Sequence, residues 1–273
     1  MVYIRIQSQT LGAVLDQAPK GKVLDSKEIL RLYDTQVRAN PVATPSLKVV
    51  TSGQVTRLEG AFNFICNWTF DEHTAPQAVA AQASYFKNLN QTLMWRVYDH
   101  DQPSNIGDCL KAQGFKPSPK GTMMVLSLEH TDIKEAGHDI RRVTKTDALK
   151  DYLKISQAAF GDDEVADFEY FEQLLVMDDF AFFCGYADGI PAVCSHLQIQ
   201  PNSVFGQLFG GGVSEAFRGK GFYRASVATR VALARVRGLK YLTTEARETS
   251  RPILESLGFV ALTKETTWML SAE

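Results

Sequence analysis

Residues 213–226 read VSEAFRGKGFYRAS: two glycines lie between basic side chains, and no acid follows Glu215. Gly219 and Gly221 let the backbone approach a ligand with no Cβ in the way. From Ala216 to Lys240 there are seven basic residues (Arg218, Lys220, Arg224, Arg230, Arg235, Arg237 and Lys240) and no acidic one. Where such a turn follows a strand and opens a helix, unpaired N–H groups and the helix dipole converge with basic side chains, which suits a phosphate. The alternative is a solvated basic face on an ordinary helix. No Ser/His/Asp spacing or metal-ligand cluster competes for the chemistry, and Cys66, Cys109, Cys184 and Cys194 form no CxxC pattern.

The neighbouring elements decide between these readings. DIRRVT (139–144) reads as a strand and TDALKDYLKISQAAF (146–160) as an amphipathic helix with Thr146 or Asp147 as N-cap. A helix near DFEYFEQLLVM follows, then a hairpin over 181–200 whose turn is Asp188-Gly189. FGQLFGGGV (205–213) is the strand that feeds the basic turn, residues 219–237 the helix that leaves it, and YLTTEA (241–246) the next strand. Strand, glycine turn and helix stand in the order a phosphate site needs.

The chain repeats itself. GFKPSPKGTMMVLSLE (114–129) set over GFVALTKETTWMLSAE (258–273) matches at seven of sixteen positions with a shift of 144, where chance gives about one. Upstream, MWRVYDH and NIGDCLKAQ mirror YLTTEA and RPILESL as a strand followed by a helix. The polar stretch 129–139 marks the junction, so the expected units are 1–130 and 137–273. The same shift places FDEHTAPQ (70–77) over the basic turn. It has no glycine, and Asp71 and Glu72 would repel a pyrophosphate. One anion site per chain, in the second unit, is expected.

The whole chain narrows the class. With 273 residues, 45% of them hydrophobic, and a net charge of −2, it reads as a globular protein whose main partner is neither nucleic acid nor membrane. No run approaches the eighteen apolar residues of a membrane span, and no signal peptide is legible, so a cytoplasmic location is expected. Cys66, Cys184 and Cys194 fall in strand-like runs as small buried hydrophobes.

On these residues, 139–270 resemble the GNAT superfamily of N-acetyltransferases. The family's pyrophosphate motif, Q/R-x-x-G-x-G/A, follows a strand ending in valine and opens the central helix. Here Val213 ends the strand, and the motif reads Arg218-Gly219-Lys220-Gly221-Phe222-Tyr223, with Tyr223 in place of the last Gly/Ala. The resemblance implies an α/β (α+β) chain of two GNAT-like units, each a mixed, mostly antiparallel twisted sheet flanked by helices. The first unit would be degenerate and the second catalytic. It implies acetyl-CoA or another acyl-CoA as co-substrate, with no metal, held by Gly212, Val213, Arg218, Gly219, Lys220, Gly221, Phe222, Tyr223 and Arg224. The pantetheine would pair with 205–213, where Gly210, Gly211 and Gly212 suit a bulge or close approach.

Acyl transfer to an amine needs a base for the amine and a proton for the leaving thiolate. The tyrosine that supplies this proton in many GNAT members falls on Leu254, so water would supply it here. Strand alternation sets Cys194, His196 and Gln198 on one face. His196 titrates near neutrality and is one candidate base; the alternative is a hydrogen-bonded histidine in the sheet. Glu245, beside the gap where the family places its acyl group, is the other; the alternative is a surface carboxylate paired with Arg247 or Arg251. Cys194 is a weaker candidate, as an acyl-accepting nucleophile. Asp162, Asp163 and Glu164 are a solvated loop or a contact for a cationic acceptor.

The expected activity is N-acyl transfer from acyl-CoA to an amine of a small molecule or peptide. A CoA-binding regulatory or scaffolding protein without catalysis is the alternative, and a tandem transferase using a larger donor is a third. A monomer and a homodimer are equally open.

Overall fold

The computed structural model describes residues 25–134, 137–161 and 168–272. The N-terminal stretch of the first unit and the acidic run 162–164 lie outside the described residues. In the first repeat, helix α1 (Ser26–Tyr33) and a π-helical turn (Asp34–Arg38) precede the strands β1 (Leu47–Ser52), β2 (Val55–Gly60) and β3 (Phe64–Trp68). Helix α2 (Ala75–Asn88), strand β4 (Leu93–Tyr98), helix α3 (Ile106–Ala112), and strands β5 (Lys116–Pro117) and β6 (Gly121–Ser127) complete it.

The second repeat begins with β7 (Asp139–Val143), α4 (Thr146–Phe160) and α5 (Phe168–Leu174). The hairpin β8 (Phe180–Ala187) and β9 (Ile190–Ile199) follows, then β10 (Phe205–Val213), α6 (Phe222–Val236), β11 (Tyr241–Ala246), α7 (Arg251–Ser256) and β12 (Val260–Leu270). Asp188 (φ 49°) and Gly189 (φ 80°) turn the hairpin, as the primed two-residue turns require. Helix α4 differs from expectation at its start. Its N-cap is Lys145, without a side-chain cap bond, and Thr146 lies one residue inside the helix with its hydroxyl donating to Glu172 Oε1 at 3.1 Å.

All twelve strands join one sheet, in the order β1-β2-β3-β4-β12-β6-β11-β10-β9-β8-β7, with β5 paired to β12. The repeats are therefore interleaved in space. β6, the last strand of the first repeat, pairs antiparallel with β11 of the second. β12, the last strand of the second repeat, pairs antiparallel with β4 of the first. The two repeated strands β6 and β12 also pair with each other.

Eight of the ten pairings along the main path are antiparallel. Only β3 with β4 and β10 with β11 are parallel, at equivalent places in the two repeats. Both parallel pairings are short. In the first repeat β3 and β4 part after Ile65 and Trp95, and the rings of Trp68 and Trp95 pack 5.6 Å apart beside the divergence. The turn that follows is structural, since Asp71 Oδ1 accepts from the N–H groups of His73 and Thr74 at 3.1 and 2.9 Å.

Apolar clusters hold each face. Val227, Val231 and Ala234 of α6 pack on Leu197, Leu208 and Leu242 of the sheet, while Tyr152 and Ile155 of α4 pack on Phe182 and Cys194 on the other side. Ile29, Tyr33 and Val37 join Tyr98, Phe205 and Tyr241, so the first described helix braces strands of both repeats. All four cysteines are free and buried. Among the described residues, no helix is long and apolar enough to cross a membrane.

Candidate active site

The site begins where β10 leaves β11. Their parallel pairing covers only Phe205–Gln207 against Tyr241–Thr243, and the Thr244 hydroxyl bonds the Leu208 carbonyl at 3.1 Å before the strands diverge. On its other side β10 carries a bulge: the register against β9 shifts between Phe209 and Gly212, so Gly210 and Gly211 have no cross-strand partner. Each of the three glycines is sterically required. Gly210 sits at φ +58°, and a Cβ there would stand 2.6 Å from Tyr152 Oη; at Gly211 it would meet Tyr223 Cε2 at 2.9 Å, and at Gly212 the Ala159 methyl at 2.7 Å.

The chain then passes through a 3₁₀ turn (Glu215–Phe217) into α6. Gly219 (φ +74°) and Gly221 (φ +85°) take the left-handed conformation, which other residues adopt only with strain. Gly221 is the N-cap of α6 and has no side chain to bond the first turn. The opening N–H groups of the helix are thus left to an external acceptor. His138 Nε2, 2.9 Å from the Lys220 carbonyl oxygen, acts as an N–H donor there and pins the turn from outside.

Divergent strands, bulge and turn enclose a cleft of about 700 Å³, within the size range of small-molecule and cofactor sites. Of the nine residues expected to hold the acyl-CoA, eight line this cleft: Gly212, Val213, Arg218, Gly219, Gly221, Phe222, Tyr223 and Arg224. Lys220 does not; its ammonium lies 5.3 Å from the centre of the Phe217 ring. The basic run also divides. Arg235 reaches away to the carbonyl of Thr131 at 2.5 Å, whereas Arg230 turns inward and lines the cleft floor.

Arg230 is only 1% exposed, and no carboxylate pairs with it among the described residues. Its Nη1 donates to the carbonyls of His196 and Phe209 at 3.3 and 3.4 Å, and its Nε to that of Ser226 at 3.0 Å. A guanidinium keeps its charge even when buried. It therefore ties α6 to β9 and β10 just before the bulge and places a cation under the cleft.

His196 is where alternation puts it, beside Cys194 and facing α4, but its surroundings differ from those of a solvated base. Its ring stacks 5.4 Å from Phe209 and lies tilted 5.0 Å from Phe182, and Tyr152 Oη lies 2.8 Å from its Nδ1. Burial, then the Arg230 charge, pushes its pKa down to about 3, so the imidazole is neutral at physiological pH. The Cys194 thiol, pushed up to about 12 by burial, donates to the Gly210 carbonyl at 3.4 Å and is no thiolate nucleophile.

Glu245 does line the cleft. Its partner is neither Arg247 nor Arg251 but a residue of the other repeat: Arg96 Nη1 donates to Glu245 Oε1. Tyr98 Oη donates to the same oxygen at 3.1 Å. Burial, then Tyr33 and the Glu245 charge, holds the Tyr98 hydroxyl protonated well above its ordinary range, so it stays a donor. Glu245 Oε2 has no partner among the described residues. The pattern of the sequence did not point to Arg96 or Tyr98; the charged Arg96 in an otherwise apolar strand was the available signal. Leu254, at the expected tyrosine position, is 1% exposed in the core. Tyr223 instead brings a hydroxyl into the cleft, next to that of Ser250, and burial keeps it protonated.

Comparison with known proteins shows what this architecture is. A GCN5-related N-acetyltransferase from Kribbella flavida superposes with a TM-score of 0.67 at 14% identity, covering 91% of this chain and 96% of that one. A tandem GNAT protein from the clavulanic acid biosynthesis pathway gives 0.61 at 14%, covering 91% and 95%. A GNAT-family acetyltransferase from Colwellia psychrerythraea gives 0.56 at 11%, covering 91% and 98%. No protein-family model and no curated protein sequence matches. The chain has the fold of the GCN5-related N-acetyltransferases, a mostly antiparallel sheet flanked by helices, in tandem form.

Proposed function

We propose that the protein transfers an acyl group from acyl-CoA, in the first instance acetyl-CoA, to an amine. The observation that supports this best is the cleft itself: divergent strands and a glycine bulge lead directly into a helix start with free N–H groups and two arginines, Arg218 and Arg224. The pyrophosphate lies on the amides of residues 218–224, and the pantetheine runs along β10. In this reading the backbone N–H groups of the bulge at Gly210 and Gly211, which have no register partner on β9, are the donors for the thioester carbonyl as it becomes an oxyanion. Each chain holds one acyl-CoA, because the equivalent first-repeat turn spends its N–H groups on Asp71.

Glu245 is the base in this reading. Arg96 and Tyr98 hold one carboxylate oxygen, and the other accepts a proton from the acceptor's ammonium. The freed nitrogen lone pair attacks the thioester carbonyl carbon, the C–S bond breaks, and the second proton of the acylated nitrogen passes to the departing thiolate through water or by way of the Tyr223 hydroxyl, which ends protonated. His196, neutral and packed among rings, positions the bulge through Tyr152 and Phe209. Glu245→Gln should lower amine-dependent thiol release from acetyl-CoA by about 10²–10⁴-fold while leaving acetyl-CoA binding intact.

A second reading is favoured by Leu254, which buries an aliphatic side chain where the family's proton donor stands. In that case the chain binds acyl-CoA without turnover, as a regulatory or scaffolding protein. Thiol release across a panel of amines separates the two: turnover lost in Glu245→Gln supports the enzyme, and tight binding with no turnover on any amine supports the alternative.

A further inference from the structure

A second cavity, about 320 Å³, lies between the repeats and shares Phe209 with the acyl-CoA cleft. A small gap walled by Tyr33, Gln207, Phe209 and Glu245 stands between the two and shares lining residues with each. Glu245 thus sits where the cleft and the cavity approach one another.

We propose that this cavity is the acceptor subsite and that it takes a primary monoamine bearing an aryl group and no carboxylate. The proposal rests on the acyl-transfer reading above and deepens it. The walls decide the body of the molecule. Phe62, Phe64 and Tyr98 come from the first repeat, Tyr170 and Phe180 from the second, and Phe62 meets Tyr170 edge to face at 6.1 Å. Rings favour edge-to-face or offset contact with a further ring, and a cavity of this size admits one small aromatic body.

The charges decide what else it carries. Among the described residues, Arg38 and Arg96 are the only ionised side chains on the cavity wall, and both are already matched. Arg38 pairs with Asp101 at 2.6 Å and Asp34 at 2.9 Å. Arg96 pairs with Glu245 and, at 3.6 Å, with Glu265. A carboxylate on the acceptor would find no free cation, and a buried unpaired charge is costly. A second ammonium would find no free carboxylate among the described residues of the wall. Glu245 Oε2 has no hydrogen-bond partner among the described residues, and Glu245 lines the gap between the cavity and the cleft. Gln198, whose amide has no partner among the described residues, lies on the wall and offers a hydrogen bond to a ring hydroxyl.

The test is calorimetry on the full chain with four probes: 2-phenylethylamine, phenylalanine, butylamine and 1,4-diaminobutane. Burying the ring is expected to make 2-phenylethylamine bind about tenfold or more tighter than each of the others. Leu58→Trp and Met94→Phe, which fill the cavity from half-buried positions, are expected to remove that binding and leave acetyl-CoA binding unchanged. The proposal is overturned if any other probe binds as tightly, or if neither filling variant weakens 2-phenylethylamine. Acetyl-CoA binding is measured separately, so a chain that selects the arylamine but ignores acetyl-CoA would contradict the acyl-transfer reading and not the assignment of the cavity.

Discussion

Arg96 on β4 and Glu245 on β11 form an ion pair between the two repeats, Glu245 lining the cleft proposed for acyl-CoA and Arg96 the second cavity. The pair exists because β12 and β6 are exchanged between repeats: together they hold β4 and β11 two strands apart from one another in a single sheet. The first repeat, whose own turn bonds its N–H groups to Asp71, thereby contributes to the cleft.

Removing the carboxylate should reveal its role. Glu245→Gln is expected to lower turnover about 10²–10⁴-fold, the usual worth of a general base, with little change in acetyl-CoA affinity. Arg96→Met should lower kcat in the same direction but less, with Arg96→Lys restoring part of it. An effect confined to thermal stability would mark Arg96 as structural only.

The glycine bulge should not tolerate side chains. Gly212→Ala places a methyl 2.7 Å from the Ala159 methyl, and overpacking of this kind costs about 1–3 kcal/mol. Gly210→Ala adds the strain of a positive φ to a contact at 2.6 Å. Both should lower Tm, and Gly210→Ala should also weaken acetyl-CoA binding, since it alters the backbone proposed to receive the thioester.

His196 supplies a pH test whose sign is fixed by burial. In the folded chain it titrates at about 3, against about 6.5 when unfolded. Between these values the unfolded chain binds the proton and the folded chain does not. Stability from this group is therefore full above about pH 6.5 and declines as pH falls, by at most about 1.4 kcal/mol per unit. Denaturant unfolding of wild type and His196→Gln at pH 7 and pH 5 should show the smaller pH dependence in the variant. An imidazole that titrates between pH 5 and 8 by NMR would contradict this placement.

Local chemistry made part of this legible. Arg218, Gly219 and Gly221 declare a turn through residue types that act within a few positions, and the repeat at 114–129 and 258–273 announces two related strands. What those strands do with each other is a long-range matter. Nothing near Glu245 in sequence identifies Arg96 as its partner, because the contact depends on the exchange of β6 and β12. Alternation placed His196 on the correct face but says nothing about the rings of Phe182 and Phe209 that desolvate it. Thr146 has a capping side chain, yet it lies inside α4 with its hydroxyl bonded to Glu172 of α5, a contact that appears only once α4 and α5 pack.

Acetyl-CoA titrated into the full chain by calorimetry tests the central claim most directly, with Arg218→Ala/Gly221→Asp as the matched variant. The account predicts one acetyl-CoA per chain, with binding lost in the variant while its far-UV spectrum is unchanged. Absence of binding to the wild-type chain, or equal binding by the variant, would contradict it.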